Sequence, residues 1–404
     1  MLDNRFAPQE RPLLIRNATP IGFVGALPPR VDVLVSREGA ILEAGPRIET
    51  GEDPRVLDVA GAYLCAGWTD LHAHVYWGGT DISIEPAQCG AERGVTTIVD
   101  AGSAGEANFA GMRRFVIEPA RENVYAFLNL GSIGLVACNR VSELMDMRSI
   151  DIDRTLDVVR RNADAIVGIK VRASAVITGG WDLVPVKLGK KLSRILKLPV
   201  MVHVGEPPPL YDEILGLLEE GDIVTHCFNG KQGGSLLEDE ELYRLVEDAA
   251  ARGIVLDVGH GGASFSFDVG AAALARGLKP TTISTDLHNR SMDGAVWDLA
   301  TTMSKLHALG MRLEDVVEAV TRAPRRAIRR PGCERLAPGE KAELTVFDVV
   351  DGDLEVVDSH GARSRLSRIF EPRYAVLGAE AISARRHRPE SGGRHSCPHC
   401  GWLS

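Results

Sequence analysis

The stretch Gly61–Gly79, GAYLCAGWTDLHAHVYWGG, carries an apolar run of strand character that finishes in His72-Ala-His74. In a strand, alternate side chains face the same side, so His72 and His74 point one way. Imidazole is the commonest metal-ligating side chain, and two of them aimed at one point make half a metal site. At the C-terminal mouth of a barrel strand that shared direction is inward, where functional residues gather.

Working outward, seven more β-branched runs follow: VTTIVDAG from Val95, NVYAFLNLGS from Asn123, AIVGIKVRAS from Ala165, PVMVHVGEPP from Pro199, DIVTHCFNG from Asp222, GIVLDVGHG from Gly253 and TTISTDLHN from Thr281. Between them, DEILGLLEEG from Asp212 and LEDEELYRLVEDAAARG from Leu237 place apolar residues at i, i+3, i+4 and i+7, the amphipathic helical period. Strand then helix, eight times over, predicts an α/β chain with a (β/α)8 TIM-like barrel over residues 61–336. The flanking segments alternate with turns, as in VDVLVSREGAILEAGPRI from Val31 and AELTVFDVVDGDLEVVDSHG from Ala342. Neither end has enough apolar alternation for a core alone, so residues 1–60 and 337–380 are expected to pair into one small β-sandwich. Residues 381–404 are basic and non-periodic, and read as a flexible tail.

Composition narrows the partners. A formal charge of −9 argues against a nucleic-acid surface, which needs a local basic excess. The arginines of TRAPRRAIRR from Thr321 alternate with Ala and Ile at helical spacing and read as a solvated helix face. No apolar run approaches the ~18 residues of a spanning helix, so a soluble cytoplasmic protein without membrane contact is expected. Cys65, Cys89, Cys138, Cys227 and Cys333 are scattered in apolar or mixed segments and read as reduced core residues. In the tail, His395, Cys397, His399 and Cys400 offer half of a zinc ribbon without its second half.

The remaining strand ends carry more chemistry: Lys170 on the fourth run, His203 on the fifth, His226 on the sixth and Asp286 on the eighth. Four histidines, a lysine and an aspartate on separate strand ends are hard to explain as packing, because charged side chains are rarely buried without partners.

These residues, with GWTDLHAHVY, GIKVRAS, VMVHVGEPPP, DIVTHCFNG, DVGHGGASF, STDLH and the late LAPGEKAELTVFD, resemble the metal-dependent amidohydrolase superfamily, in its dihydroorotase-like amidohydrolase/deacetylase branch. The resemblance runs from the N-terminal β segment to about Leu377. It implies a binuclear centre of two divalent metal ions. His72 and His74 would hold one metal and His203 and His226 the other, with Asp286 beside the first. Lys170, carboxylated by CO2, would bridge both. Zinc is the expected metal, and manganese, iron or cobalt suit the same donors. The implied reaction is attack of a metal-bridging hydroxide on an amide or ester carbonyl, with Asp286 as the catalytic proton carrier.

Tyr76 and Trp77 follow the histidine pair and are candidate substrate contacts. Arg172 shares the strand parity of Lys170 and is placed either to pair a substrate carboxylate or to form a salt bridge at the rim. His260, on a Gly-rich loop, either bonds substrate or caps the loop. His288 reads as a rim or supporting residue. Dihydroorotases continue His-x-His with x-Arg, where this chain has Tyr76. The favoured substrate is therefore a small acylated carboxylic acid, cleaved by a deacetylase-type enzyme. A cyclic amidase of dihydroorotase, hydantoinase or dihydropyrimidinase type is the alternative. A non-catalytic assembly protein of the same fold is a second alternative, disfavoured because every candidate ligand is kept. A closed homo-oligomer is the default expectation.

Overall fold

The apolar run from Tyr63 divides at Gly67, whose amide donates to Glu343 O at 2.7 Å. In a computed structural model describing residues 8–138 and 140–389, the two halves of that run enter different sheets. Before the break lie β1 (Leu13–Pro20), β2 (Val31–Val35), β3 (Ile41–Gly45), β4 (Arg55–Asp58) and β5 (Tyr63–Ala66). After it, β6 (Trp68–Ala73), β7 (Val95–Ala101), β8 (Asn123–Asn129), β9 (Ile166–Ala173), β10 (Val200–Val204), β11 (Ile223–Thr225) and β12 (Val255–Asp257) form one parallel sheet in sequence order.

The eighth predicted strand closes the ring by isolated bridges instead of a regular ladder. Thr282 bridges Asp257 on one side and Leu287 bridges Ala73 on the other. The amides of Val258, His260 and His74 reach Thr282 O, Ser284 O and Leu287 O at 3.1, 3.1 and 2.9 Å. Pairing is irregular because the Thr285 amide goes to the Asp70 carboxylate at 3.0 Å, and because Asp286 has φ +50°.

The intervening helices bury one stripe each. In Glu240–Ala251, Leu242, Tyr243, Val246 and Ala249 face the barrel, and the Asp239 carboxylate accepts the Glu241 amide at 2.8 Å to start the helix. Each large apolar side chain so buried contributes about 1.5–3 kcal/mol. Thr321–Arg330 departs from the solvated face read in its sequence. Arg325 is buried, donating to Thr97 Oγ1 at 2.6 Å and pairing with Glu343 at 3.1 Å, while Arg326 is exposed. Helical alternation identified the helix but not which arginine turns inward.

Both chain ends meet in the second sheet. After the barrel come β13 (Glu343–Val357), β14 (Arg363–Leu377) and β15 (Glu380–Ser383), and the strand order is β15-β14-β13-β5-β1-β2-β3, with β4 on β1. Side chains from both halves, including Ile15, Val33, Leu64, Val346 and Val376, share one apolar core, so the sheet closes on itself as a sandwich. The long β13–β14 hairpin continues beyond it, and its Val356, Leu366 and Phe370 join the barrel core. Cys65, Cys89, Cys138, Cys227 and Cys333 are buried thiols outside any disulfide among the described residues. Among the described residues no helix is long and apolar enough to cross a membrane. The Cys397–Cys400 motif with His395 and His399 lies outside the described residues.

Candidate metal centre and active site

The strand ends bring the predicted ligands together at the barrel mouth. His72 is the next-to-last residue of β6, His74 lies just beyond its end, and their rings stand 5.4 Å apart. Lys170 on β9 directs Nζ to within 3.4 Å of His72 Nε2. His203 on β10 meets the His226 ring at 4.4 Å, and His226 meets the His72 ring at 5.2 Å. Asp286 Oδ1 lies 3.0 Å from His74 Nε2 and 3.3 Å from His72 Nε2. Donor atoms of His72, His226 and Asp286 fall within 4.8 Å of one another, the spacing a shared cation needs.

Electrostatics suit that chemistry. Burial lowers His72 and His203 well below the ordinary imidazole value and brings His226 to about 3, which keeps each ring neutral and able to offer a lone pair. Burial pushes the Asp286 carboxyl up, but the facing His72, His74 and His226 more than reverse this and hold it well below the usual carboxylate range. The Lys170 amine is pulled down to about 7 by burial, ahead of Asp286 and Asp257, which raise it. Among the described residues Lys170 makes no ion pair; its contacts are His72 Nε2 and Met201 Sδ, the latter at 3.3 Å.

A second layer fixes the ring orientations. The Thr225 hydroxyl donates to Asp257 Oδ2 at 2.7 Å and so accepts from His72 Nδ1–H at 2.9 Å, leaving Nε2 unprotonated with its lone pair towards the cluster. His226 donates Nδ1–H to Gly259 O at 2.6 Å, with the same consequence. His74 Nδ1 lies 2.9 Å from Ser103 Oγ, and Asp100 holds that corner by accepting the Ser103 and Val75 amides at 2.7 and 2.8 Å. Asp70 ties the first and last barrel segments together through the Thr285 amide and hydroxyl. Sequence reading missed Asp70, Ser103, Thr225 and Asp257. The available signal was parity for Asp70, two residues before His72 on the same strand face.

A deacetylase of Agrobacterium fabrum is 59% identical over 385 residues, 95% of this chain and 95% of that protein. A deacetylase of Brucella anthropi is 58% identical over 384 residues, 95% of this chain and 96% of that protein. A solved structure described as a dihydroorotase is 58% identical, has a TM-score of 0.92 and covers 95% of this chain and 100% of its own. The chain belongs to the amidohydrolase superfamily, in its dihydroorotase-like branch. No protein-family model matches the sequence. As an amidohydrolase it is a hydrolase acting on a small molecule. The donor set fits the metal centre of that superfamily: clustered imidazoles, two of them, His72 and His226, with Nδ1 held by an outer partner, beside an ionised carboxylate.

The candidate substrate residues are distributed less simply. Arg172, half-buried on β9 beyond Lys170, sets Nη1 3.5 Å from the buried Glu143 carboxylate and 3.6 Å from Cys138 Sγ. The Tyr76 hydroxyl donates to Asn108 O at 3.0 Å, and Trp77 is 59% exposed. Among the described residues, neither makes a hydrogen bond or ring contact with the histidine cluster. His260 is fully buried with Nδ1 on Gly261 O at 3.0 Å and Nε2 on Lys305 Nζ at 2.9 Å, so no ring nitrogen remains for a substrate. Of the two readings of His260, these contacts match the loop cap. His288 comes nearer the candidate ligands, its ring 6.4 Å from His74 and its Nδ1 accepting the Arg290 amide at 3.2 Å.

Amidohydrolase ligands owe affinity to their outer partners. Thr225→Val, isosteric but without the hydroxyl, is expected to weaken metal binding about 10–100-fold, read by competition against a chelator. Unchanged affinity would mean that packing alone orients His72.

Proposed function

We propose that this amidohydrolase is a binuclear deacylase that releases an acyl group, typically acetyl, from a small N-acyl or O-acyl carboxylic acid. The observation that carries the reading is the convergence of His72, His74, Lys170, His203, His226 and Asp286 at the barrel mouth, in a chain 58–59% identical to proteins named deacetylases. His72 and His74 would hold one ion and His203 and His226 the other, with carboxylated Lys170 between them and Asp286 beside the first. Zinc suits these donors, as do manganese, iron and cobalt.

When bound, such a pair of cations supplies an activated water near neutral pH and polarises the acyl carbonyl. The chain's own residues do the rest. Asp286, ionised and 3.0 Å from His74, takes the proton of the attacking water and delivers it to the leaving amine or alkoxide as the acyl C–N or C–O bond breaks. The products are a carboxylate and an amine or alcohol. Arg172, whose planar fork matches a carboxylate, anchors the acid end of the substrate.

Arg172→Met is expected to raise KM about 10–100-fold with little change in kcat, since a charge-assisted contact contributes about 1.5–3 kcal/mol to binding. A fall in kcat with KM unchanged would assign Arg172 to the scaffold with Glu143.

Substrate class is tested on a panel of N-acetyl and O-acetyl α-amino and α-hydroxy acids beside dihydroorotate and a hydantoin. Turnover of the acetyl compounds alone supports the deacylase. Turnover of the cyclic amides alone overturns it in favour of the cyclic amidase, the second reading, which the solved structure described as a dihydroorotase favours. Against that reading, the position of the ring-gripping arginine is Tyr76, whose hydroxyl is engaged by Asn108. No turnover of either class after supply of zinc, manganese and bicarbonate would leave a non-catalytic barrel.

A further inference from the structure

Lys305 lies on the helix Leu299–Ala308 and is fully buried. Its Nζ meets three partners, Ala295 O, Val357 O at 2.8 Å and His260 Nε2 at 2.9 Å. That fixes the tautomer of His260. Its Nε2 accepts, so Nδ1 carries the proton and donates to Gly261 O at 3.0 Å. Burial, and then the Lys305 charge, keep the imidazole neutral.

The loop so held is the one that touches Asp286 and His226. Gly259 and Gly261 have φ +46° and +58°, and neither has room for a side chain. A Cβ on Gly261 would stand 2.5 Å from Asp286 Oδ2, and one on Gly259 would stand 2.9 Å from His226 Nδ1. The loop backbone is therefore the wall against which the Asp286 carboxylate rests.

A second anchor comes from the terminal sheet. At the tip of the β13–β14 hairpin, the Ser359 hydroxyl donates to Gly261 O at 2.8 Å and accepts the Phe265 amide at 3.1 Å. The Ser359 amide returns to Phe265 O at 3.0 Å, and Asp358 Oδ2 accepts the Phe267 amide at 2.9 Å. Lys305 binds this hairpin too, through Val357 O. One amine thus joins the helix Leu299–Ala308, the hairpin and the loop over Asp286.

We propose that Lys305 is a positioning residue for Asp286, acting through His260 and the Gly259–Gly262 loop, with Ser359 as its partner on the hairpin. The inference rests on the reading of Asp286 as the proton carrier. If the wall moves, proton delivery to the leaving group suffers first, because a displacement of about 1 Å can cost on the order of 10²-fold in rate.

The test uses the metal-loaded enzyme and two esters of one acyl acid. An alkyl ester leaves as a basic alkoxide and needs the proton of Asp286, whereas a nitrophenyl ester leaves as a stable anion without it. Lys305→Met is expected to lose about 10-fold more in kcat/KM on the alkyl ester than on the nitrophenyl ester, since weaker proton uptake from water lowers both while weaker delivery lowers only the first, with metal content unchanged. Ser359→Ala is expected to shift the ratio in the same direction by a smaller factor, and it carries the test if Lys305→Met does not fold. Equal losses on both esters overturn the inference, since a general structural defect does not depend on the leaving group. Asp286→Asn, run beside them, separates the two levels. A leaving-group effect there but none in the other variants overturns the positioning role alone. No such effect in Asp286→Asn overturns the proton role and the inference together.

Discussion

Lys170→Ala is expected to lose bound metal and hydrolysis together, with kcat/KM falling on the order of 10³-fold or more, beyond the 10–100-fold typical of an outer partner. The physical argument starts from an imbalance. A fully buried ammonium normally has a carboxylate against it, because an unpaired buried charge costs several kcal/mol. Among the described residues Lys170 has none, and faces His72 Nε2 and a thioether instead. Burial accordingly pulls its amine down to about 7, towards the neutral form that adds CO2. The carbamate replaces a cation by an anion with two oxygens, which suits a place between two cations. Elemental analysis should therefore find about two metals per chain in the native protein, falling sharply in the variant. A 13C spectrum of protein grown with labelled bicarbonate should lose the carbamate carbon. Full metal occupancy and retained turnover in Lys170→Ala would end the bridging role.

The candidate ligand set was legible in the sequence because two simple periodicities converge on it. Strand parity puts His72 and His74 on one side, and the repeat of strand and helix puts Lys170, His203, His226 and Asp286 at one mouth. What it hid were relations between distant segments. Asp70 meets Thr285 across 215 positions and Lys305 meets His260 across 45, and each of these residues alone reads as an ordinary polar side chain. The Gly-rich run around His260 left a substrate contact and a loop cap both open. Its glycines are instead required by close packing on His226 and Asp286, and the imidazole faces inward to Lys305. Arg325 shows the same limit on the opposite side of the argument, since helical alternation cannot tell a solvated arginine from one aimed at Glu343. The eighth strand was found by composition, yet its irregular pairing depends on the Asp70 carboxylate taking a backbone amide.

Asp286→Asn is expected to reduce kcat/KM by about 10²–10⁴-fold, the range of a positioned general acid or base, while most of the metal is kept. The substitution preserves shape, so the backbone that sets the side chain should hold. The Asp286 amide still donates to His72 O at 2.6 Å, and Ser291 Oγ still reaches Asp286 O at 3.4 Å. The amide oxygen can still face His72 and His74, so coordination is weakened less than in Lys170→Ala. What disappears is the ability to accept a proton, because an amide is not a base at neutral pH. Metal content and activity should therefore separate in this variant, whereas they fall together in the other. The separation is checked by measuring metal per chain and turnover of the same acetyl substrate on one preparation. If Asp286→Asn loses metal in step with activity, Asp286 is primarily a ligand, and the proton must be carried by another group near the mouth, for which His288, beside His74, is the first to examine.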